Sequence, residues 1–111
     1  VKRVFYPKCT SREIYSKFAK HKDSIGYGSL FSLVFHTEDD AISFYDNIEI
    51  CKGPSLGTNF SLICPYTLLA HYNELDYVAK YGVDHKLIRI SIGLEDSEYI
   101  LKNIKKALDS A

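Results

Sequence analysis

Residues 87–108, LIRISIGLEDSEYILKNIKKAL, change their hydrophobic period half-way, and that change constrains the fold more than any other feature of the chain. Over the first seven residues apolar positions alternate, so Ile88, Ile90 and Ile92 share one side of a strand while Leu87, Arg89, Ser91 and Gly93 share the other. From Asp96 and Ser97 the spacing becomes three and four, with Ile100, Leu101, Ile104, Ala107 and Leu108 inward and lysines late in the helix, where they suit its dipole. A strand running straight into an amphipathic helix predicts a sheet with helices laid against it. The isoleucines read as core. Arg89 is turned away from them, either into plain solvent or into a cleft where its planar fork of donors holds a carboxylate or phosphate.

The rest of the chain extends the pattern. VKRVFYP reads as a short strand ended by Pro7. Thr10 and Glu13 have capping-box spacing, which predicts a helix burying Ile14, Tyr15 and Phe18. Gly26 and Gly28 turn the chain into a strand whose Phe31, Leu33 and Phe35 share an aromatic face. Thr37 with Asp40 caps a helix over EDDAISFYDNI with Ala41, Phe44, Tyr45 and Ile48 inward, and EICK reads as a short strand. GPSLGTNFSLICPYT is rich in turn formers ahead of the apolar run 60–64. Leu69 to Tyr81 reads as a helix ended by Gly82. The expected fold is α+β, a mostly antiparallel sheet with helices on one face, the other face being left to water or a partner.

Composition narrows the function. With 111 residues, 46% of them hydrophobic, the chain is the size of one domain and has material for one core. Fourteen basic residues balance fourteen acidic ones without clustering, which argues against nucleic acid and anionic membranes as partners. No apolar run approaches the roughly 20 residues that span a bilayer. Cys9, Cys51 and Cys64 share no short spacing, fitting neither a disulfide framework nor a metal site, so a reducing, cytoplasmic setting is expected. The chain has no methionine even at position 1, which marks it as a candidate piece of something longer. His21, His36, His71 and His85 are scattered over different elements. Cys64 near His71 reads as a buried thiol rather than a nucleophile with its base. No glycine loop has phosphate-cradling spacing. Two features remain, Arg89 and the loop 53–59, and on the residues alone a structural and a ligand-binding reading stand for both.

The motifs SLGTNFSLI and GVDHKLIRISIGLEDSEYILKNIKKAL, with a proline and a histidine between them, closely resemble the end of the Cys/Met-metabolism pyridoxal-phosphate (PLP) enzymes. That group contains cystathionine γ-synthase, cystathionine lyases and O-acetylhomoserine sulfhydrylase, and its members read SLGG.ESL and then LIRLS.G.ED. The tyrosine-rich centre of the chain is similar to the fungal cystathionine γ-synthase-like branch. The resemblance implies that residues 1–111 are the C-terminal domain of a fold type I enzyme that makes cystathionine from an acyl-homoserine and cysteine in transsulfuration, with a sulfhydrylase, a lyase or a non-catalytic interaction module as alternatives. It implies that Arg89 pairs with the substrate α-carboxylate and that Ser55 and Leu56 lie beside it. The same resemblance puts the catalytic and PLP-holding residues in a large domain of the same chain, outside these 111 residues, in an enzyme expected to be a homo-oligomer. The piece alone is then expected to bind no PLP and to be inactive. Two departures stand out: Phe60 sits where the family carries an acid, and LAHY, with Leu69 and Ala70, replaces the family's THA.

Overall fold

Five strands and six helices form in the computed structural model, which describes residues 1–111. The strands are β1 (Arg3–Phe5), β2 (Leu30–Val34), β3 (Cys51–Lys52), β4 (Leu62–Cys64) and β5 (Leu87–Ser91). They join as one sheet in the order β1-β2-β5-β4-β3, antiparallel at every pair except β3 with β4, which is parallel. The helices are α1 (Pro7–Thr10), α2 (Arg12–Phe18), α3 (Glu38–Asn47), α4 (Tyr66–His71), α5 (Leu75–Ala79) and α6 (Ser97–Asp109).

The alternation read from residues 87–93 is the organising feature. Ile90 sits opposite Phe31 of β2 and Ile63 of β4, and Ile88 sits opposite Leu33, so one face of three strands is continuously apolar. Helices α3 and α6 close over it with Ala41, Phe44, Ile48 and Ala107, while Ile92, Ile104 and Leu108 pack at the margin. The Phe35 and Phe44 rings meet at 5.1 Å. Both helix starts are capped as the sequence indicates: Thr37 Oγ1 accepts the Asp40 N–H at 3.1 Å, and Asp96 Oδ1 accepts the Tyr99 N–H at 3.1 Å.

Several local expectations are corrected. Thr10 does not cap the first helix: Pro7, whose fixed φ suits a first helical turn, starts α1 earlier, and the Thr10 hydroxyl donates back to the Tyr6 carbonyl. Ile14, Tyr15 and Phe18 share a helical face, but that face looks outward, with Phe18 84% exposed. The helix expected from Leu69 begins at Tyr66 and is broken into α4, a 3-10 turn over Tyr72–Glu74, and α5, before Gly82 ends it at φ 82°. Leu101 points to solvent, and Asn103 takes the inward place: its amide donates to the Glu49 carbonyl and its oxygen accepts the Glu49 N–H, both at 2.8 Å. A buried amide with both ends partnered is tolerated at little cost.

The opposite face of the sheet is not left bare. Val34, Leu87, Cys64 and Ser91 point to it and are buried. The α4–α5 segment reaches its Val34 end, where Ala79 and Gly82 border a surface hollow with Phe5 and Val34. Because β3 and β4 run parallel, the intervening residues 53–61 must carry the chain back to the same end of the sheet. In doing so they lie beside the middle of β5, where Arg89 projects.

Candidate carboxylate site

Arg89 occupies the centre of the second face, with Ser32 of β2 and Cys64 of β4 directly beside it in register. Its side chain is half-buried, so its position differs from the plain solvent exposure that an edge arginine would have. Nη2 donates to the carbonyls of Pro54 and Ser55, the latter at 3.5 Å. The guanidinium carbon lies 5.4 Å from the centre of the Tyr66 ring, a cation–π contact made possible because α4 starts directly after β4. Nε and Nη1 donate to no oxygen of the protein, and the one other polar group against the guanidinium is the Cys64 thiol. Arg89 also takes part in none of the ion pairs of the chain.

The surroundings keep that charge uncompensated. Burial pushes the Cys64 thiol up, by more than the facing guanidinium pulls it down, so the nearest ionisable neighbour stays neutral. His71 does not reach Cys64 as a base; its Nδ1 is 2.6 Å from Glu74 Oε1. What remains is a half-buried cation with two donor nitrogens turned to neither carboxylate nor carbonyl, a setting that suits a planar anion.

The three residues expected at this site are brought together to different degrees. The Ser55 carbonyl is on Arg89 itself, while Leu56 is 53% exposed on the same turn. Gly57 completes the turn at φ 71°, and its N–H donates to the buried Ser91 hydroxyl at 3.1 Å, pinning the loop two residues along β5 from Arg89. Phe60 is half-exposed, and its carbonyl accepts the Thr58 hydroxyl at 2.7 Å. Tyr66, Ser91 and Glu95 were not singled out by pattern, since nothing in their local spacing reveals a partner more than twenty residues away. PLP does not fit here as a covalently held group: Arg89 is surrounded by Ser32, Cys64, the Tyr66 ring and the Pro54 and Ser55 carbonyls, with no lysine among them.

The sequence profile of the Cys/Met metabolism PLP-dependent enzymes matches residues 1–109. The chain belongs to that family. It is 48% identical to cystathionine gamma-synthase of Saccharomyces cerevisiae over 99% of its own length, and 48% identical to cystathionine gamma-synthase of Neurospora crassa over its full length. It spans 18% of the length of each of those relatives. The fold matches cystathionine gamma-lyase from Lactobacillus plantarum complexed with L-serine, with a TM-score of 0.82 and 23% identity over 99% of this chain and 29% of that one. The five-stranded α+β arrangement is therefore that of a small domain in fold type I PLP enzymes.

Proposed function

We propose that these residues form the substrate-carboxylate-binding part of a cystathionine γ-synthase-like PLP enzyme, which joins an acyl-homoserine to cysteine. The observation that carries the reading is the half-buried, unpaired Arg89 guanidinium beside the Ser55–Leu56 turn. A free amino acid offers a planar α-carboxylate, and Arg89 matches it in the bidentate way that lysine does not reproduce, through Nη2 with Nε or Nη1, once Nη2 gives up the loop carbonyls. Arg89 holds and orients; Tyr66 supports its guanidinium from one side, and the 54–57 turn closes the other. Orientation of this kind is a large part of what an enzyme site contributes to rate. PLP, held by residues outside these 111 and so not by this site, supplies the carbanion-stabilising chemistry when bound.

The exposed apolar side of α2, with Ile14 and Phe18, is assigned to contact with the rest of a homo-oligomeric enzyme, because so large an exposed ring is costly in water. The three cysteines are unpaired, in keeping with a cytoplasmic protein. A sulfhydrylase or lyase of the same family is the second reading, favoured by Phe60 at the position where the family carries an acid. Both readings use the same carboxylate contact. Arg89→Ala in the full-length protein is expected to raise KM for the amino-acid substrate about 10- to 150-fold, from a charged contact of roughly 1.5–3 kcal/mol. An unchanged KM would show that another group holds the carboxylate, and a full-length protein without turnover would instead support a non-catalytic interaction module. The 111-residue chain alone, titrated with PLP, is expected to acquire no cofactor absorbance.

A further inference from the structure

The loop that carries Ser55 and Leu56 is fastened at its far end by a second set of contacts. Both Glu95 carboxylate oxygens accept the Ser61 N–H, at 3.0 and 2.8 Å, and Oε1 also accepts the Ser61 hydroxyl at 3.0 Å. That same hydroxyl oxygen accepts the Gly93 N–H at 2.9 Å, and the Leu94 N–H donates to the Asn59 carbonyl at 2.6 Å. Ser61 is fully buried. The backbones approach so closely that a Cβ on Gly93 would stand 2.4 Å from the Phe60 carbonyl carbon and 2.5 Å from the Asn59 oxygen.

The near end of the loop is held differently, by Arg89 on the Pro54 and Ser55 carbonyls and by Ser91 on Gly57. A carboxylate arriving at Arg89 competes with those two carbonyls for the guanidinium, so the near end loosens at the moment the turn has to be in place. The contacts of Glu95 involve none of the groups that meet the ligand. We propose that Glu95, through Ser61, is a positioning residue: it keeps the 54–60 loop seated beside Arg89 while Arg89 exchanges loop carbonyls for substrate carboxylate. The proposal rests on the carboxylate reading of Arg89.

The test uses the full-length enzyme with Glu95→Gln, Ser61→Ala and Arg89→Ala, measuring steady-state kinetics and hydrogen exchange of the 53–61 backbone. Glu95→Gln keeps the size of the side chain but not its charge. It is expected to raise KM roughly tenfold with kcat changed far less, and to speed exchange across 53–61 without altering PLP absorbance. Ser61→Ala, which removes the bridging hydroxyl, is expected to move both readouts the same way. Unchanged loop exchange in Glu95→Gln overturns the proposal whatever the kinetics. Faster exchange with an unchanged KM, in an enzyme where Arg89→Ala does raise KM, also overturns it and leaves Glu95 a purely structural contact. If Arg89→Ala itself leaves KM unchanged, the carboxylate reading falls and the positioning role falls with it, and the silent Arg89 variant identifies that failure as the cause.

Discussion

Replacing Gly93 with alanine sets a methyl group against atoms that cannot step aside. Two of its three nearest neighbours, the Phe60 carbonyl carbon at 2.4 Å and the Asn59 oxygen at 2.5 Å, belong to the backbone, and the third is Glu95 Oε1 at 2.5 Å. Gly93 does not have a positive φ, so the cost is contact rather than backbone strain. The loop must shift, and the hydrogen bonds from Leu94 to Asn59 and from Gly93 to Ser61 lengthen with it. Overpacking of this kind costs about 1–3 kcal/mol, and each weakened hydrogen bond about 0.5–1.5 kcal/mol. A loss of roughly 2–6 kcal/mol is therefore expected, a large share of a typical domain's stability. Urea unfolding of the 111-residue chain, followed by far-ultraviolet circular dichroism, measures it. Gly26→Ala is the control, because nothing lies within 4 Å of its Cβ and its φ is not positive; it should be neutral or stabilising by about 0.4–1 kcal/mol. Equal urea midpoints for the two variants would refute the reasoning.

Three further outcomes follow from the same contacts. Phe44→Ala, which empties a fully buried position against Phe35, should lower stability by about 3–5 kcal/mol in the same unfolding assay. Asp96→Ala, which removes the carboxylate cap on the Tyr99 N–H, should cost about 0.5–2 kcal/mol and reduce helical signal. Acid should loosen the loop. Burial alone would raise the Glu95 carboxyl, but the Ser61 N–H, the backbone N–H of Glu95 itself and the Ser61 hydroxyl together outweigh it and hold it below the usual range. A lowered folded pKa means that this stabilisation is complete above the unfolded carboxyl value of about 4.3 and is lost as pH falls through the folded one. Urea midpoints of the parent chain and Glu95→Gln should therefore be well separated above about pH 4.3 and draw together as the pH falls below it.

The parts legible in the sequence are those fixed by neighbours along the chain. Helices α3 and α6 show their caps at Thr37 and Asp96 and their buried stripes through Phe44, Ile48, Ile100 and Ala107. The two faces of β5 follow from strict alternation. What was not legible depends on distant pairing. The parallel placement of β3 beside β4 is what brings residues 53–61 beside β5, and a two-residue strand such as Cys51–Lys52 has no period from which to read direction. The Glu95–Ser61 contact joins residues 34 apart in sequence, with no local signature. On α2 the apolar face was read correctly as a face and wrongly as core, since periodicity reports that a side is apolar but not what covers it. At the site, the strand pattern gave the direction of Arg89, and the motif resemblance gave its expected partner.

The most direct measurement compares the amino-acid substrate with its α-carboxamide analogue, in the full-length enzyme and in Arg89→Ala. An amide of the same shape keeps the hydrogen-bonding oxygen but loses the charge that Arg89 would hold. Discrimination between the two, read as the ratio of kcat/KM values, is expected to be large in the parent enzyme and to shrink at least about tenfold in Arg89→Ala, the loss of one charge-assisted contact. An undiminished ratio in the variant would show that another group holds the carboxylate and would contradict the account.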